Sequence, residues 1–157
     1  MRKEDLLHQK IEQTLIDIDF VSKYQELSDN FRNTQTDYQY TTDQILSIGK
    51  ENDLSLKAFK GEQYFTDYER CGETEFRFGL TIKHNIIEFD VSIENKAHNI
   101  SSGGSYGLLV QLLTDWTKTI RKPGFNTYKE MKELIKEGIM LYKDIKFAVY
   151  EKCSQEV

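Results

Sequence analysis

The chain has 157 residues, of which 38% are hydrophobic and 30% charged, with a formal net charge of −5 and a single proline. At roughly 100–200 residues per domain this length fits one domain, and the apolar share is too high for a disordered acidic tail. The acidic balance argues against a nucleic-acid binder, and no run approaches the roughly 18 consecutive apolar residues of a membrane span. Arg2-Lys3-Glu4-Asp5 leads into an amphipathic pattern instead of the apolar stretch of an export signal. Cys71 and Cys153 stand apart, outside any CxxC pair, which disfavours a disulfide framework or a structural zinc site. Two isolated thiols without an export signal suit a reducing compartment, so the expected location is the cytoplasm.

In chain order, Leu7, Ile11, Leu15, Ile18 and Val21 recur at three- and four-residue intervals. They predict one helix over residues 4–27, its apolar face widened by Phe20, Tyr24 and Leu27. Polar, turn-forming residues follow from Ser28. Thr41-Thr42-Asp43 then reads as an N-cap cluster for a short helix ending near Gly49. Beyond it the period changes from 3.6 to 2. Phe76, Phe78, Leu80 and Ile82 alternate with polar residues or glycine, as do Ile87, Phe89, Val91 and Ile93 with polar ones. Such alternation marks half-buried strands, and the short connection Lys83-His84-Asn85 makes 75–82 and 86–93 an antiparallel hairpin. Residues 64–68 add a neighbouring strand, and 54–59 another. Glu94 to Gly104 reads as a polar loop.

Leu109, Leu112, Leu113, Trp116 and Ile120 share one side of a predicted helix over 105–119, with a strand through 106–113 as the competing assignment. After the break at Arg121-Lys122-Pro123-Gly124, Thr127 and Glu130 have the spacing of a capping box. The helix it opens, 127–149, carries the cleanest stripe: Met131, Leu134, Ile135, Ile139, Tyr142, Ile145 and Val149. Gly138 within that stripe points to close approach of another element. The whole chain, 1–157, reads as a single α+β domain, an antiparallel sheet covered on one face by helices.

Charge is uneven along the chain. Between Glu62 and Glu94 eight acids meet three bases, a net of −5, while the other residues hold 18 of each sign. Glu75, Glu88 and Asp90 occupy hairpin positions opposite the apolar face and are expected to project to solvent together, with Arg77 as a partial counter-charge. One reading is a solvated face that like charge keeps from aggregating. The functional reading is an acidic docking surface for a protein with a basic surface. It would comprise Glu62, Tyr64, Asp67, Tyr68, Glu73, Glu75, Glu88 and Asp90, with aromatic anchors among steering charges.

Catalytic constellations are sparse. Glu88 and Asp90 lie about 7 Å apart by strand rise, in range for a carboxylate pair, but any acidic strand presents such a pair. Cys71 with His84 or His98 would make a thiolate–imidazole pair, yet Cys71 precedes Gly72 in an expected turn, where a thiol needs no role. His8, His84 and His98 lack metal-ligand spacing. Ser101 to Gly107 lacks the lysine-bearing pattern of a phosphate loop. The basic residues of 118–136 alternate with acids as ordinary helix-surface pairs do. No catalytic residue, metal or cofactor is therefore assigned.

Size, acidity and an alternating central sheet followed by the terminal helix Phe125-Asn126-Thr127-Tyr128-Lys129-Glu130-Met131-Lys132-Glu133-Leu134 resemble the small single-domain immunity proteins of bacterial toxin–immunity pairs. The resemblance covers about the last half of the chain. It implies neutralisation by stoichiometric binding, with the acidic face covering the basic active-site cleft of a toxin. The alternative is a small enzyme or ligand-binding domain with its pocket between the 101–106 loop and the hairpin. A subunit of a larger assembly, docking through the first helix, is a third reading.

Overall fold

The computed structural model describes residues 3–59, 61 and 63–154. Among them β1 (Lys57–Phe59), β2 (Tyr64–Cys71), β3 (Thr74–Lys83), β4 (Ile86–Asn95) and β5 (Ile100–Ser105) form one antiparallel sheet in the order β1-β2-β3-β4-β5. The predicted hairpin is β3–β4. Its register sets Phe78 against Val91, Leu80 against Phe89 and Ile82 against Ile87, which gathers the alternate apolar residues on one face. His84 and Asn85 turn the hairpin with φ of 53° and 62°. Two consecutive left-handed residues match the right-handed twist of the strands they join.

Helices α1 (Lys3–Leu6), α2 (Gln9–Asp17), α3 (Phe20–Asn30), α4 (Thr42–Glu51), α5 (Tyr106–Leu113) and α6 (Tyr128–Ser154) join the apolar face of the sheet in one core. All seven residues of the α6 stripe are buried. Tyr142, on α6, packs its ring 5.1 Å from Phe78, which stacks 6.0 Å from Phe89, itself 5.4 Å from Tyr106. Gly138 is where α6 crosses Phe89: a Cβ there would overlap the carbons of that ring. The Tyr106 hydroxyl donates to the Gly138 carbonyl at 2.9 Å. This is the close approach that a glycine in the stripe foretold. Among the described residues no helix is long and apolar enough to cross a membrane.

Four elements depart from the sequence reading. The helix expected over 4–27 is three helices. His8 separates the first two, its Nδ1 capping α2 by accepting from the Lys10 N–H at 3.1 Å. Asp19, at φ 60° and ψ 45°, separates α2 from α3. An apolar interval of three or four residues runs unbroken through both junctions, so periodicity alone does not register them. β5 occupies part of the expected polar loop; Ile100-Ser101-Ser102-Gly103-Gly104-Ser105 has no apolar alternation and owes its strand conformation to pairing with β4. The helix expected over 105–119 stops at Leu113, because Asp115 and Trp116 turn at φ 51° and 67°. Trp116, placed on the apolar face from spacing, is 60% exposed. Half of the Thr127 capping box forms. Thr127 Oγ1 accepts from the Glu130 N–H at 3.2 Å, but Glu130 Oε1 takes the N–H of Asn126 at 3.0 Å. Thr41 and Gln44, by contrast, cap α4 reciprocally.

Candidate functional site

Strand pairing determines which side chains share the face of the sheet away from the helices. Phe59, Tyr64, Thr81 and Glu88 form one row across it, and Lys57, Thr66, Gly79, Asp90 and Ser105 the next. Tyr68, Arg77, Ser92 and Gly103 form a third, and Arg70, Glu75, Glu94 and Ser101 a fourth. Thr66 is short and Gly79 has no side chain, so the second row is a trough between taller neighbours. A groove of about 670 Å³ lies at the β1 end of it, walled by Phe59, Tyr64, Tyr68 and Arg77 and reached by Lys57. Phe59 and Tyr68 are 50% and 55% exposed.

Asp90 occupies the other end of the trough. Its carboxylate fills the space over Gly79, where a Cβ would lie 2.6 Å from both carboxylate oxygens and 2.8 Å from the Tyr64 hydroxyl. Tyr64 donates a long hydrogen bond to Asp90 Oδ1, at 3.5 Å. Loss of water pushes the Asp90 carboxyl up to about 6; the Tyr64 hydrogen bond opposes the shift and the charge of Glu88 adds to it. Burial and the adjacent carboxylate push the Tyr64 hydroxyl up in turn.

Of the residues expected to form the docking surface, Tyr64, Tyr68, Glu75, Glu88 and Asp90 share this face. Asp67 does not. Strand alternation turns it to the helix side, where it is buried and its Oδ1 accepts from the Ser55 N–H at 2.9 Å. Burial pushes its carboxyl up, against that hydrogen bond. Glu69 also lies behind the sheet and pairs with Lys146 of α6. Glu73 is exposed in the β2–β3 turn, and Glu62 lies outside the described residues.

A field of one sign does not form. The strand positions of this face carry Glu75, Glu88, Asp90 and Glu94 against Lys57, Arg70, Arg77 and Lys83, four of each sign. Lys122 pairs with Glu88 at 2.6 Å, and Arg70 approaches Glu75 at 3.9 Å. The strand acids of the segment are divided between two sides of a sheet, and Lys57 and Lys122 enter from outside the segment. The resulting face is bipolar, with bases and aromatics over β1 to β3 and acids mainly over β4.

Cys71 pairs with Thr74 at one end of β3, whereas His84 follows its other end, roughly 30 Å away by strand rise. His98 faces Lys10, with Nδ1 3.4 Å from the ammonium nitrogen. Burial and the charge of Glu69 push the Cys71 thiol up, which keeps it protonated and a poor nucleophile. The 101–106 segment expected to border a pocket is β5 itself, paired to β4, with the first residue of α5. Phe59 and Lys57 carry no signal of a site in the sequence, because β1 is three residues long and exposed, without apolar alternation. No family model matches the chain, and comparison with curated proteins and with solved structures finds no significant match.

Proposed function

We propose that the chain is a non-catalytic binding protein whose helix-free sheet face seats a protein partner, and that it acts by stoichiometric occlusion as the immunity proteins it resembles do. The supporting observation is the pair of half-exposed rings, Phe59 and Tyr68, flanking a groove on a face that no described helix covers. Aromatic anchors beside a recess carry a large share of the energy of protein interfaces. The bipolar charge sets the orientation. A partner brings basic groups over Glu88, Asp90 and Glu94 and acidic ones over Lys57, Arg70 and Arg77, and a basic toxin cleft would lie across β4.

Affinity capture from the host extract, followed by titration of the captured protein, tests the reading. One equivalent should bind, and the double variant Phe59→Ala/Tyr68→Ala should bind at least about tenfold more weakly while melting like the parent. The triple reversal Glu75→Lys/Glu88→Lys/Glu94→Lys should slow association, most of all at low salt. Asp90 is left unchanged in that set because its carboxylate is packed over Gly79 beside the Tyr64 hydroxyl. A partner that binds both variants with parental affinity and rate overturns the reading.

A further inference from the structure

A second concave surface lies in the helical layer. α3 and α6 leave between them a groove of about 940 Å³ whose floor includes Leu27, Phe31, Met140 and Leu141. Five of its lining residues are acidic and two, Lys23 and Lys136, are basic, a net of −3. Lys23 is engaged with Asp144 at 3.4 Å, and Glu130 accepts from Asn126. Glu26, Glu133 and Glu137 make no ion pair among the described residues.

The exposed side of α6 continues this groove. Glu133, Glu137, Met140, Asp144, Phe147 and Glu151 follow one another at alternating steps of four and three residues. That is the seam spacing by which one helix packs along another. Met140 and Phe147 on the seam are 48% and 65% exposed, although α6 buries a full apolar stripe on its other side. Two large apolar side chains one heptad apart, with Glu137, Asp144 and Glu151 along the seam and Lys136 and Lys143 at its edge, form an amphipathic surface without a partner among the described residues.

We infer that this groove docks a basic amphipathic helix from a partner protein, at a surface separate from the sheet face. The apolar floor calls for an apolar stripe, and the acidic rim calls for lysine or arginine beside it. From Glu130 to Asp144 the groove follows α6 for about 21 Å, close to four helical turns, which sets the length of the guest. The groove lining, at a net of −3, favours a basic guest over a second copy of this chain, which would bring the same excess of acids.

The probe is a synthetic peptide of about 15 residues with leucines at i, i+3, i+4 and i+7 and lysines elsewhere. Its control is a shuffled peptide of the same composition, which keeps the charge and loses the stripe. The first peptide should bind one to one, more weakly as salt rises, with amide shifts in nuclear magnetic resonance spectra confined to α3 and α6. Glu133→Lys/Glu137→Lys, both at exposed positions, should weaken it about tenfold and Phe147→Ala several-fold. Phe59→Ala/Tyr68→Ala, on the sheet, should leave it unchanged, so this outcome is independent of the sheet reading. Absence of binding, equal binding of the shuffled peptide, parental affinity for the reversed variant, or shifts centred on the sheet each overturn the inference.

Discussion

Gly138→Ala is expected to destabilise the protein by about 2–3 kcal/mol, although the same change in an exposed helix would gain about 1 kcal/mol of helix propensity. The new methyl group would overlap the ring of Phe89. That ring has no free direction, since Phe78 stacks on it and Tyr106 packs against it. Moving α6 outward instead would stretch the Tyr106 hydrogen bond to the Gly138 carbonyl. For a chain of this size the cost corresponds to a Tm lower by roughly 5–10 °C. Adding Phe89→Leu, which shortens the obstructing side chain, should recover part of the loss beyond what additivity allows. A single variant that melts at or above the parent would show that α6 is not pressed against Phe89.

Asp90→Asn should stabilise the protein at neutral pH by about 1–2 kcal/mol. The folded-state carboxyl titrates near 6, above the ordinary carboxylate value, so between those values the native state holds more protons than the unfolded one. The parent therefore loses stability as pH rises from about 4 through 6, and the asparagine variant lacks that loss at this site. Asparagine keeps an acceptor for the Tyr64 hydroxyl and requires no charge to be desolvated over Gly79. Urea denaturation of both proteins between pH 4 and 8 should give curves that coincide at the acid end and separate with rising pH. The difference between the curves isolates Asp90 from Asp67, whose carboxyl burial also raises. An asparagine variant less stable at pH 7 would mean that the carboxylate is held in its charged form.

Elements with a strong period are legible in the sequence itself. The β3–β4 hairpin and the buried stripe of α6 follow from alternation and from apolar recurrence, because burial of one face imposes those patterns on a sequence. β5 escaped notice because glycine and serine fill positions where larger residues would have signalled a strand. The two breaks in the N-terminal helical region escaped because the apolar spacing continues across His8 and Asp19. Trp116 was misplaced since a helix was extended by spacing beyond the residues whose φ ends it. For the candidate face the difficulty was geometric. A sum of charge along the chain treats Asp67 and Glu75 alike, whereas strand alternation sends them to opposite sides. The trough depends on Thr66 facing Gly79 across two strands, a relation that exists only once the register is fixed.

The packing of α2, α3 and α4 against α6 also has a consequence for biosynthesis. The first helices leave the ribosome long before their partner, with 98 positions separating Asn30 from Tyr128. At about 5–20 residues per second this gap lasts roughly 5–20 s. Each strand in between pairs with its neighbour in sequence, so the sheet can close while translation continues. Phe20 and Tyr24 of α3 meet Tyr106 of α5 first, whereas the sides of α2 and α3 that pack on α6 remain uncovered throughout that interval. Nascent chains arrested before α6 emerges should thus be the form that holdase chaperones retain, and the N-terminal helices the segment they protect.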